Sequence, residues 1–150
     1  MDIELLADVK LSLLMKYYIG ESIYLFGDEI SAKVSSPVKK GLQEIHESSK
    51  RIEKKDVDIL HSIVAKLIWV EKGGSPDIEP AIFFLCARVT KSTKEDKEKF
   101  RRVFKYRKHT IDDKMIMGAA IISQLCTWVD AAHGLHPDLK IHTGDCVSFG

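Results

Sequence analysis

Between residues 57 and 108 the chain carries three consecutive amphipathic segments, each with its own start or stop signal. This run limits the fold more than any other feature. In the first segment Val57, Leu60, Val64, Leu67 and Ile68 form one apolar stripe at helical spacing, and Gly73-Gly74 ends it. The second starts near Asp77 and puts Ile78, Ala81, Ile82, Leu85, Cys86 and Val89 on one face. Pro80 is tolerable there, because the first helical turn needs no amide donor. The third opens at Thr93-Lys94-Glu95-Asp96, a capping-box pattern with Asp in place of the usual Glu or Gln, and runs to about Lys108. Phe100, Val103 and Phe104 are its expected buried residues. A short connection containing Gly-Gly predicts that the helices at about 56–71 and 77–91 pack antiparallel, through Leu60, Val64, Leu67, Ile82, Leu85 and Val89.

Upstream, Ile19, Ile23 and Phe26 share one helical face over 16–26, and Gly27 suits the stop. The first fourteen residues fit two patterns. Ile3, Leu6, Val9 and Leu13 have helical spacing, whereas Val9, Leu11 and Leu13 alternate as in a strand. Residues 28–55 look like a connector. Ser35-Ser36-Pro37 breaks regular structure, and 44–55 is polar without an apolar face, either a solvated loop or a weak helix. After Thr110 the period changes. Met115-Ile116-Met117 is a short strand candidate. From 125 to 130 Leu125, Thr127 and Val129 alternate with Cys126, Trp128 and Asp130. A loop with Gly134 and Pro137 follows, and Cys146-Val147-Ser148-Phe149 starts another strand. The strands at 125–130 and 146–149 should pair antiparallel, with 115–117 a candidate third. The expected fold is α+β: an α-rich bundle of about four helices followed by a small, incomplete antiparallel sheet.

Composition excludes several classes. The 150 residues are 45% hydrophobic and 30% charged, which argues against global disorder. No apolar run approaches the ~20 residues of a membrane helix. Met1-Asp2-Ile3-Glu4 is acidic and lacks the basic region of a secretory signal. Three cysteines, Cys86, Cys126 and Cys146, are too sparse for a disulfide scaffold and point to a reducing, intracellular compartment, cytoplasmic or nuclear. The formal net charge of +1 demands no nucleic-acid partner.

Local charge is another matter. From Arg88 to Lys114 there are eleven Lys or Arg against five Asp or Glu, a surplus of six, so the rest of the chain is net acidic. Arg101, Arg102, Lys105 and Lys108 cluster on one helical side. Such a stripe can neutralise phosphates in a salt-dependent way, or it is a solvated helix face. His133, His136, His142 and Cys146 have zinc-like side chains, but their spacing matches no established zinc signature. Cys86, on an apolar face, is expected in the core. Asp130 ends an otherwise apolar strand. That position suits a Mg²⁺ ligand, yet one carboxylate binds Mg²⁺ weakly and cannot hold a metal pair.

Taken in order, these segments resemble the Pol polyprotein of copia-type LTR retrotransposons, over the end of its reverse transcriptase and the opening of its RNase H domain. Tyr18-Ile19 with Phe26-Gly27 is similar to the family's helix after the polymerase palm, and Val34-Ser35-Ser36-Pro37 to its Val-Ser-Thr-Pro connector. His61-Ser62-Ile63-Val64-Ala65-Lys66-Leu67-Ile68-Trp69 resembles Tyr-Arg-Ser-Leu-Val-Gly-Ser-Leu-Leu-Tyr. Pro76-Asp77-Ile78 matches Arg-Pro-Asp-Ile. Arg101-Arg102-Val103-Phe104-Lys105-Tyr106, closed by Thr110, is similar to Lys-Arg-Val-Leu-Arg-Tyr. Val129-Asp130-Ala131 matches the Asp-Ala core of the first RNase H strand. Asp138, Lys140, Thr143, Gly144 and Val147-Ser148-Phe149 follow the loop and strand after it.

The departures are as informative. Ser75 stands where the family has Arg, and Arg107 and His109 replace Leu and Gly. Ala132 and His133 stand in place of an Asp-Trp pair, and Leu139, Ile141 and His142 depart from Arg-Lys-Ser-Thr. On this resemblance, 1–27 is the end of the palm region with its following helix and 28–55 a connector. Residues 56–112 are thumb- or connection-like helices, and 113–150 is a truncated, RNase H-like start. The resemblance implies that the polymerase carboxylates lie upstream and that further RNase H acids lie beyond. Asp130 is then a remnant RNase H carboxylate, a weak Mg²⁺ ligand without its partners. The intact family protein uses Mg²⁺; this chain is expected to need no cofactor and to catalyse nothing alone. Expected partners are duplex backbone, gripped weakly by Arg101, Arg102, Lys105 and Lys108, and a second copy at the open sheet edge. A different class remains open: a small α-rich protein-interaction module derived from a transposon.

Overall fold

The computed structural model describes residues 1–7, 10–118, 123–132 and 142–148. The ambiguous N-terminus is a hairpin. Strand β1 (Asp2–Leu5) and strand β2 (Leu11–Leu14) pair antiparallel, Ile3 opposite Leu13 and Leu5 opposite Leu11. The turn is closed by Leu6 N donating to the Lys10 carbonyl at 2.7 Å. The alternation at 11 and 13 decides this, because one strand face must carry both leucines.

Helix α1 (Lys16–Phe26) follows and stops at Gly27, whose φ of 72° is the left-handed cap that glycine adopts without strain. It buries Ile19, Ser22 and Phe26. The Ser22 hydroxyl is satisfied by the Tyr18 carbonyl at 2.7 Å. After the connector comes the long helix α2 (Lys54–Gly74), against which α1, β2 and the next helix pack. The polar segment before it forms turns and loop up to Glu53, so the loop reading of 44–55 holds for all but its last two residues.

Helix α3 (Glu79–Arg88) is bracketed by single 3-10 turns at Pro76–Ile78 and Val89–Lys91, so the expected helix over 77–91 is three pieces. Helices α2 and α3 run antiparallel: the chain entering α2 bonds the chain leaving α3, Ile52 N to Ser92 O at 3.3 Å and Lys94 N to Lys50 O at 2.9 Å. Leu60, Val64, Leu67, Ile82, Leu85 and Val89 are all buried in the core. Cys86 is not. It is exposed, and Phe84 is buried instead. Helix α4 (Lys94–His109) also packs on α3, and Phe84 is buried in the core that the helices share. A phenyl ring buries far more apolar surface than a thiol. The amines and guanidinium of Lys99 and Arg88 cover that ring at 4.7 and 5.6 Å.

Helix α4 buries Phe100, Val103 and Phe104 as its stripe requires, and Phe104 meets Phe26 of α1 at 4.9 Å between ring centres. Strand β3 (Met115–Met117) then pairs antiparallel with β2, Leu13 opposite Met115 and Leu11 opposite Met117. The expectation that 115–117 joins the C-terminal strands is therefore corrected. The free edge of β2 takes it, and leucine and methionine share a sheet face there. Strand β4 (Cys126–Ala132) and strand β5 (His142–Ser148) pair antiparallel as a second, two-stranded sheet. The described residues thus form an α+β fold of four helices and two small antiparallel sheets.

Candidate nucleic-acid interface

The basic helix α4 owes its start to the residues that sequence spacing points to. Thr93 N donates to Asp96 Oδ2 at 2.9 Å, and Asp96 N donates to Thr93 Oγ1 at 3.4 Å, a closed capping box. Asp96 also takes a two-pronged bond from Arg88, Nε to Oδ1 and Nη2 to Oδ2, both 2.9 Å. Burial pushes the Asp96 carboxyl up. The Arg88 fork and the Thr93 amide outweigh that and hold it below the ordinary aspartate value.

The four stripe residues divide into two pairs. Arg101 donates through Nη2 to Asp28 at 2.5 Å and through Nη1 to Glu98. Lys108 Nζ donates to the Ile30 carbonyl at 2.7 Å. Two cations that the sequence did not single out do the same work. Lys97 sits 3.7 Å from Asp28 and 3.3 Å from Asp56. Lys99 Nζ donates to the Glu44 carbonyl at 2.7 Å, and burial lowers its pKa. Much of the basic face of α4 is therefore a clamp for the connector at 28–44. The side chains of Arg102 and Lys105 make no hydrogen bond or ion pair among the described residues. Arg102 is half-buried, and its Nε is enclosed without an acceptor.

The C-terminal end of α4 carries a second polar group. Asp77 beside the Tyr106 hydroxyl, with burial, raises the pKa of that hydroxyl to about 12. Arg107 is only 2% exposed and lies 3.8 Å from Asp77, and its Nε has no partner. Burial pulls its guanidinium below the ordinary value, against the pull of Asp77. Ser75, two residues before Asp77, has a buried hydroxyl without a partner. Sequence spacing gave no warning of this group, because Asp77 and Arg107 lie thirty residues apart. A charged residue at 107, where the apolar pattern of α4 calls for leucine-like packing, was the available signal.

Asp130 is exposed near the end of β4, opposite Gly144. Its Oδ1 accepts from the Ala131 amide at 2.9 Å. Asp145 stands opposite Val129, one register step away, so the two carboxylates belong to opposite faces of the hairpin. Among the described residues no three His, Cys, Asp or Glu side chains converge as metal ligands. Asp138, His133 and His136 lie outside the described residues, as does the side chain of His142. Among the described residues no helix is long and apolar enough to cross a membrane. No family model, no curated protein and no solved structure matches the chain.

Proposed function

We propose that the chain corresponds to the copia-type Pol segment joining reverse transcriptase to RNase H. In these 150 residues the activity is weak, sequence-independent binding of nucleic-acid backbone without catalysis. The observation that carries the reading is the uncommitted pair Arg102 and Lys105 on the most basic element, beside cations spent on the connector. The meeting of two separate motifs of the resemblance adds support: Asp77 of Pro76-Asp77-Ile78 lies beside Tyr106. Affinity for a short RNA–DNA hybrid is of the order of 10⁻⁴ to 10⁻⁶ M at physiological salt, with a shallow salt dependence. The test is fluorescence anisotropy of a labelled hybrid across a salt series, beside a hybrid-cleavage assay in Mg²⁺ and in Mn²⁺. Binding that weakens with salt, and no cleavage, is expected. No binding at low salt ends the nucleic-acid reading. Cleavage abolished by Asp130→Asn ends the claim that the chain is inert.

A second reading, a transposon-derived protein-interaction module, is favoured by one observation. The β4–β5 hairpin leaves Trp128, Val129 and Val147 more than half exposed. Such a surface fits a protein partner better than a polyanion.

A further inference from the structure

We propose that the phosphate contacts of this protein are made in a cleft between the 37–44 loop and α4, sized for about one nucleotide and centred on Arg102, Lys39 and Lys40. This rests on the nucleic-acid reading above and narrows its site from the whole helix stripe to Arg102 and the loop facing it. The cleft encloses about 300 Å³, at the lower end of small-molecule sites. Its walls are pinned before any ligand arrives. Gly41, at φ 83°, turns the loop, Leu42 N bonds the Lys39 carbonyl at 3.1 Å, and Lys99 fastens the Glu44 carbonyl to α4.

Charge in the cleft is distributed unevenly between partnered and unpartnered groups. Of the carboxylates on its wall, Glu95 is taken by His46 at 3.0 Å and by Lys99 at 3.8 Å, and Glu98 by Arg101. The cations Lys39, Lys40 and Arg102 have no carboxylate or carbonyl partner among the described residues, and Arg102 Nε is enclosed with its hydrogen unused. An enclosed donor without an acceptor is costly, and a shift of Arg102 toward a phosphate oxygen in the cleft would relieve it. A guanidinium fork with two ammonium groups beside it suits a phosphate, which accepts from several directions at once. Glu44 alone opposes this: its carboxylate folds back over Gly41 and no hydrogen bond holds it. A phosphate must therefore displace or outweigh it.

Phosphate could be presented by a free nucleotide or by a nucleic-acid strand, and the experiment separates the two. The full chain is titrated, at low salt, with inorganic phosphate, with AMP and with a single-stranded oligonucleotide. Amide shifts at 39–42 and 98–102 are followed by NMR, and affinity by calorimetry. Lys39→Ala/Lys40→Ala, which alters exposed loop residues only, and Arg102→Gln should each weaken binding about tenfold. Glu44→Gln should strengthen it, and Lys91→Ala, at an exposed lysine outside the cleft, should leave AMP binding unchanged. Shifts confined to the cleft support the proposal. Oligonucleotide binding that is unaffected by the loop double variant and by Arg102→Gln overturns the cleft while leaving the nucleic-acid reading intact. Binding of AMP but not of the oligonucleotide keeps the cleft and ends that reading. Binding of none of the three ligands by the wild-type chain ends both.

Discussion

At the residue scale, two positions where the chain departs from the pattern of the proposed copia-type correspondence, Ser75 and Arg107, lie near Asp77. On the proposed correspondence, Ser75 stands in the place of an arginine and Arg107 in that of a leucine. Ser75 precedes Asp77 by two residues, and the Arg107 guanidinium lies 3.8 Å from its carboxylate. On the proposed copia-type correspondence, the positive charge beside Asp77 would have changed sides. This arrangement predicts coupling. Ser75→Arg alone should be strongly destabilising, because it brings a second guanidinium to a buried position. In an Arg107→Leu background the same change should cost less, by about 0.5–3 kcal/mol. Arg107→Leu itself should cost under about 1 kcal/mol, since a buried charge with an unused donor gives way to a side chain of similar bulk. The check is urea denaturation of the four proteins of the cycle; strict additivity would dissolve the link between the two departures.

At the element scale, α4 was legible almost residue by residue. Its cap, its stripe and its end depend on residues within a few positions of one another, and the Thr93–Asp96 box forms as spaced. What its charges do was not legible. Arg101 and Lys108 meet Asp28 and the Ile30 carbonyl, 73 and 78 residues away in sequence, and no local period reports such a meeting. For the same reason the pairing of β3 with β2 is not legible locally, because strand pairing is chosen by the folded chain and not by the strand. The Asp96–Arg88 pair gives a prediction with a definite pH direction. The Asp96 carboxyl is held below its ordinary value, so its contribution is fully present above the unfolded pKa of ~4. It fades as pH falls through the folded value. Asp96→Asn should lose about 3 kcal/mol near neutral pH, where Arg88 is left part-buried without its anion. The deficit relative to wild type should shrink toward pH 3. A deficit independent of pH would mean that the cap, not the charge, carries the loss. In the core, Leu85→Ala should cost on the order of 2–5 kcal/mol, since Leu85 is fully enclosed. An unchanged denaturation midpoint would contradict the α2–α3 packing.

At the scale of the whole molecule, stability is concentrated in one place. The core built by α1 to α4 holds almost every fully buried side chain, and Ile63, Leu67, Phe100 and Phe104 lie at its centre. The β4–β5 hairpin stands apart from it in its bonding. Its strands hydrogen-bond each other and form a sheet separate from β1–β2–β3. Val129 and Val147 on one face, and Trp128 on the other, are more than half exposed. A two-stranded hairpin with both faces wet is marginal in water, and its open edges invite a further strand. Two consequences should appear together. Amides of 126–132 and 143–148 should exchange through openings of no more than about 2 kcal/mol, while those of α2 and α4 exchange only on global unfolding. Sedimentation should also show self-association that rises with concentration, and Val129→Lys should suppress it by placing a charge on the exposed face. If the hairpin amides are as protected as those of α2 in a strictly monomeric protein, the hairpin is covered within the chain itself, and neither edge pairing nor the interaction-module reading survives.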